Sequence, residues 1–94
     1  MEIKLPKEEY EMLELLKKET KDGEITLYFL KYENYFITSR TINRLKLKGL
    51  LNYNLREQGK DANKYYIKIK GLKISNFKII SKNSKVVISL TSNK

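Results

Sequence analysis

The 94-residue chain has no cysteine, no histidine, no tryptophan and a single proline. Without cysteine there is no disulfide frame and no thiol nucleophile, and without histidine there is no imidazole base. A Cys/His zinc site is excluded by both absences. Acids are scarce beyond residue 24, where Glu33, Glu57 and Asp61 stand alone, so the clustered carboxylates that metal-assisted phosphoryl chemistry needs are missing. No enzyme is expected, and neither a cofactor nor a metal. Apolar runs are only a few residues long, far short of the ~20 that span a bilayer. The first residues lack an apolar signal core, so the expectation is a cytoplasmic protein without a membrane partner.

What is abundant is positive charge. Twenty Lys and Arg against eleven Asp and Glu give +9, which suits a polyanionic partner. Seventeen of the bases are Lys, and codon usage in an AT-rich genome would produce much of that total. Its distribution is more telling. Residues 1–24 carry eight acids and five bases, net −3, whereas residues 25–94 carry three acids and fifteen bases, net +12. Compositional bias enriches lysine everywhere and does not gather acids into one segment, so the split points to a binding face.

The length supports one small domain, 1–94. Pro6 followed by Glu8 and Glu9 predicts a helix start, and Tyr10, Leu13 and Leu16, widened by Met12 and Leu15, form a stripe at helical spacing. The first helix is expected over roughly 7–21, with Glu14 pairing to Lys18 and Gly23 ending it. Ile25 suits one β-bridge, and Thr26 can cap a short helix from Leu27 to about Glu33. After a turn at Asn34, Thr38 can cap a third helix whose Ile42 and Leu45 face the core. On its wheel Arg40, Asn43 and Arg44 share the outward face, and Gly49 ends it.

Period-two alternation follows. Leu51, Tyr53 and Leu55 are expected on one face of a strand and Asn52, Asn54 and Arg56 on the other. Residues 57–63 are expected as a polar loop before a second strand, KYYIKIK, completing a hairpin. A further hairpin is expected over 74–81 and 85–91, with a fraying tail.

The order helix, bridge, helix, helix, strand, loop, strand resembles the winged helix-turn-helix family of DNA-binding domains. The resemblance rests on GEIT at 23–26, ITSRTINRL at 37–45, KGLL at 48–51 and the hairpin after them, and covers about residues 7–70. It implies an α+β winged helix, three helices plus a β-hairpin wing, with residues 71–91 as an extra C-terminal hairpin. Two departures stand against it. The third helix is about one turn short unless it begins earlier, near Phe36, and the residues after the wing are strand-like where many members continue into a helix.

What the resemblance implies is a small regulator of transcription that binds double-stranded DNA, its third helix in the major groove and its wing on a neighbouring groove or backbone. Arg40 and Arg44 would grip guanine and Asn43 adenine. Thr38, Ser39, Lys46 and Lys48 would meet phosphate, and Arg56, Lys60, Asn63 and Lys64 would act from the wing. All three arginines fall on the proposed helix and wing, where the planar fork does what lysine cannot. Tyr53, Tyr65 and Tyr66 fit packing better than base stacking. The competing expectation is a docking module of a transcription or replication complex, with helix 1 or the C-terminal hairpin on a protein partner. A homodimer through the edge of that hairpin is also expected. The residues do not separate duplex DNA from RNA.

Overall fold

The computed structural model describes residues 2–91. Its elements run β1 (Glu2–Leu5), α1 (Lys7–Glu19), β2 (Ile25–Phe29), α2 (Tyr32–Leu47), β3 (Leu51–Asn52), β4 (Leu55–Asp61), β5 (Lys64–Lys70), β6 (Lys73–Ile74), β7 (Phe77–Lys82) and β8 (Val86–Leu90). The three-helix winged helix is overturned: the described residues hold two helices, and 44% of the structure is strand, in three sheets. The strand orders are β1-β8-β7, β2-β5-β4 and β3-β6, and all pairings are antiparallel.

The first helix follows its pattern. Pro6 sits just before α1 and its carbonyl accepts from the Glu9 and Tyr10 amides. Tyr10, Leu13 and Leu16 are buried, Met12 packs partly against the core and Leu15 stays exposed. Glu14 pairs with Lys17 at 3.9 Å rather than with Lys18.

The expected helix over 27–33 is instead the strand β2 followed by the first residues of α2. In ITLYF, Ile25, Leu27 and Phe29 pair with Ile69, Ile67 and Tyr65 of β5. Thr26 and Tyr28 therefore face the other side, the alternation of a half-buried strand. The expected turn at Asn34 and cap at Thr38 both lie inside α2, which starts at Tyr32. Tyr32, Tyr35 and Phe36 recur at helical spacing, and their rings contact one another and Phe29 and Tyr65. Those contacts explain a helix that begins without a side-chain cap.

The segment expected as a loop, 57–63, is mostly strand. β4 runs to Asp61, which pairs with Lys64, leaving Ala62 and Asn63 as a tight turn with Ala62 at φ 54°. The C-terminal hairpin forms as β7 and β8, and β8 also pairs with β1, a partnership of residues more than eighty apart. The tail expected to fray lies, beyond Thr91, outside the described residues. No helix among them is long and apolar enough to cross a membrane.

One apolar core joins these layers. Leu13 and Leu16 of α1, Ile42 and Leu45 of α2, Ile67 and Ile69 of β5, Leu5 of β1 and Ile88 of β8 are all fully buried within it. The turn before β2 meets the turn after β5, where the Leu72 amide donates to the Gly23 carbonyl at 2.9 Å. Gly71 holds φ at 70°, and a Cβ there would lie 2.4 Å from the Asn54 amide nitrogen. Gly71→Ala is therefore expected to cost at least the ~1–2 kcal/mol of a left-handed L-residue, read as a lowered midpoint in a thermal melt, whereas alanine at Gly49, where a Cβ meets nothing, should cost only the backbone strain.

Candidate nucleic-acid interface

The outward ridge of α2 is built by its own periodicity. Thr38, Thr41, Ile42 and Leu45 turn inward, which leaves Phe36, Arg40, Asn43, Arg44 and Leu47 exposed, Leu47 to 87%. Arg40 lies beside the Phe36 ring, 5.8 Å from its centroid. Arg44 has half its side chain exposed and stands 3.9 Å from Glu9. Lys46 lies over the Tyr53 ring at 4.3 Å.

Several residues expected on DNA are engaged within the protein. Thr38 is 8% exposed. Lys48 donates from Nζ to Glu9 Oε1 at 2.6 Å and so ties the end of α2 to the start of α1. Glu9 is only 3% exposed, and its carboxylate, one of two in the first turn of α1, is the acid that neither charge counting nor the helix-dipole argument singles out.

Arg56 is the most heavily used cation. Its Nη2 donates to the Ser39 carbonyl at 2.9 Å and to Ser39 Oγ at 2.7 Å. Nη1 donates to Asn43 Oδ1 and to the Tyr53 hydroxyl, and Nε donates to Gln58 Oε1 at 2.6 Å. Gln58 continues the network by donating to Ser39 Oγ and the Tyr35 hydroxyl. Ser39, Asn43 and Arg56 are thus brought together, but toward one another.

The expected strand register put Arg56 on the solvent side with Asn52 and Asn54. The chain instead breaks between β3 and β4, and the Asn54 amide donates to the Lys70 carbonyl. Arg56 then pairs with Ile69 on the face toward α2, while Leu55, opposite Lys70, is left 41% exposed on the other. Gln58 joins the site by the same register, its only sequence signal the alternation of EQGKD, masked by low strand propensity, and it and Arg56 reach the Tyr35 and Tyr53 hydroxyls.

The hairpin divides its cations between two faces. Lys60 pairs with Tyr65 and lies over that ring at 5.4 Å, on the α2 side. Lys64 lies over Tyr28 at 5.8 Å, on the opposite side, and Asn63 is exposed in the turn. Among the described residues only Lys17, Arg44 and Lys48 come within 4.0 Å of a carboxylate, so Arg40, Lys46, Lys60 and Lys64 form no ion pair at that distance. No group of acids suited to a metal ion occurs among the described residues. No family model matches this chain, and neither a curated protein nor a solved structure is significantly similar to it.

Arg56→Lys keeps the charge but lacks the fork that reaches Ser39, Asn43 and Gln58 at once. It is expected to lose about 1–3 kcal/mol of stability in urea unfolding, and an unchanged midpoint would show the network to be incidental. Lys48→Met should cost more, roughly 3 kcal/mol, because it leaves a buried carboxylate with only a distant arginine. Glu9→Gln should cost less, since Lys48 is 31% exposed and can turn to water. Reversal of that order in paired urea melts would contradict the account.

Proposed function

We propose that this chain is a sequence-specific double-stranded DNA-binding protein, a small transcriptional regulator that lays the α2 ridge in the major groove. The observation that carries the reading is that two of the three arginines, Arg40 and Arg44, project from one exposed helical ridge. The groove, about 12 Å wide, admits a helix, and a 16-residue helix supplies four turns to it. Arg40 is the principal base-reading residue. Arg44 assists from its half-exposed position, and Asn43, whose oxygen already accepts from Arg56, has its amide donors for a base edge. Lys46 and Lys60 hold phosphate. The reading requires no third helix, because one continuous α2 carries the whole ridge. A homodimer fits the same reading, since two half-sites multiply specificity and the edge strand β7 exposes Ile79 and Ile80.

One feature favours a protein-docking module instead. Leu30, Tyr32, Phe36 and Ile37 are 75%, 57%, 48% and 42% exposed around the start of α2, and a contiguous apolar patch of this kind suits a protein partner.

Salt dependence separates the two. The DNA reading predicts that log K falls by about 0.9 per phosphate contact as log salt rises, so duplex affinity drops steeply in a titration from low to moderate salt. Flat or absent DNA binding favours docking. Arg40→Ala should weaken a preferred duplex, selected from a random pool, by about 1–3 kcal/mol and random duplex by much less. Equal losses on both would end the base-reading claim.

A further inference from the structure

The far side of the β2-β5-β4 sheet, turned away from α2, carries a row that none of the functional reasoning above uses. Tyr28 pairs directly with Tyr66 across β2 and β5, and Tyr66 pairs with Gly59 across β5 and β4. Period two places all three on one face. Gly59 has no side chain to compete, and the Tyr66 ring leans over it: a Cβ at Gly59 would be 3.7 Å from the ring and its hydroxyl. Tyr28 is 65% exposed. Thr26, Glu57 and Asp61 are exposed on the same face, so it is open to solvent.

Lysines flank the aromatic row on both sides. Lys68 pairs with Thr26 and Glu57 in the row on one side, and Lys64 pairs with Asp61 in the row on the other. Neither lysine comes within 4.0 Å of the acid opposite it, since the ion pairs of the described residues lie elsewhere. Lys70 extends the same face. The result is a shallow groove whose lining includes Thr26, Tyr28, Tyr66 and Lys68 together with the carboxylates of Glu57 and Asp61, running on past Tyr28 to Asn63 and Lys64.

We propose that this face binds single-stranded nucleic acid, with Tyr28 and Tyr66 stacking on unpaired bases and Lys64 and Lys68 following the phosphates. Two adjacent rings on an open antiparallel sheet with cations at either side match the two requirements of such a site, a stacking platform and an electrostatic track. Duplex DNA does not fit, because its bases are stacked on one another and present only their edges. A cross-strand tyrosine pair that served the sheet alone would not leave Tyr28 two-thirds exposed. The site lies on the opposite side of the sheet from α2 and stands independently of the duplex reading.

The test uses the full chain and an oligo-dT of roughly twelve nucleotides, a length in the range one small domain covers. Tyr28→Ala and Tyr66→Ala should each weaken binding roughly 5- to 150-fold, and Tyr66→Phe, which keeps the ring, should bind like the parent. Circular dichroism and a thermal melt verify that each variant is folded. Because the chain has no tryptophan, Tyr28→Trp supplies a single reporter whose emission oligo-dT should quench. An abasic oligonucleotide of equal length should bind more weakly and quench little. Equal affinity of Tyr28→Ala and parent, equal affinity for the abasic strand, or no binding of oligo-dT at low salt would each overturn the proposal. Arg40→Ala should leave oligo-dT affinity unchanged, so failure of the duplex reading does not alter this result.

Discussion

The guanidinium of Arg56 is the constraint on which the arrangement of helix and hairpin depends. β4 is an edge strand whose sequence, LREQGKD, has few residues that favour strand. It is held on one side by its ladder to β5 and on the other by Arg56 and Gln58, which reach the middle of α2. The donors of the guanidinium point toward Ser39, Asn43, Tyr53 and Gln58, so a half-buried charge is solvated by the protein itself. Such a group is costly to bury without partners, and the cost fixes geometry. Any slip of β4 by one residue would turn Arg56 to solvent and Leu55 against α2.

A second polar tie works at the other end of α2. Glu9 and Lys48 bind the start of α1 to the end of α2, while Leu13, Leu16, Ile42 and Leu45 supply the apolar burial between the helices. Apolar contact is indifferent to small rotations of one helix on another, whereas an ion pair with one member at 3% exposure is not. The ridge of α2 is thus set near its middle and at its C-terminal end by charges that face inward, which determines which charges are left to face outward.

The legible parts of the fold were those with local patterns. The stripe of α1 and the alternation of β5 and β8 are visible in short windows and those elements form, whereas the strand expected over 74–81 divides into β6, which takes Ile74, and β7, whose register shifts between Ile79 and Ser81. β2 is not legible as a strand because five residues hold only two and a half periods, and Thr26 suits a helix cap. The start of α2 is not legible because it lacks a side-chain cap, and the helical signal in Tyr32, Tyr35 and Phe36 becomes decisive only when β5 places Tyr65 against the rings. β1 has no local signal beyond four residues before a proline. Its partner β8 is at the other end of the chain, and pairings of such separation are not readable from a window.

The candidate site shows the same division. The wheel drawn from the sequence places Arg40, Asn43 and Arg44 outward, and they and Lys46 are exposed on α2. Residue type alone could not tell an arginine that faces solvent from one that holds the fold, and Arg56 is the latter. The distinction is set by the parity of β4, since one unpaired stretch between Asn52 and Leu55 inverts every side chain after it. The same inversion places Gly59 beneath Tyr66 rather than against α2. One shift of register therefore both draws Arg56 in against α2 and opens an aromatic row on the opposite face. The β2-β5-β4 sheet separates two faces, arginine and lysine on the helix side and tyrosine with lysine, Glu57 and Asp61 on the far side. A single net charge conceals that difference.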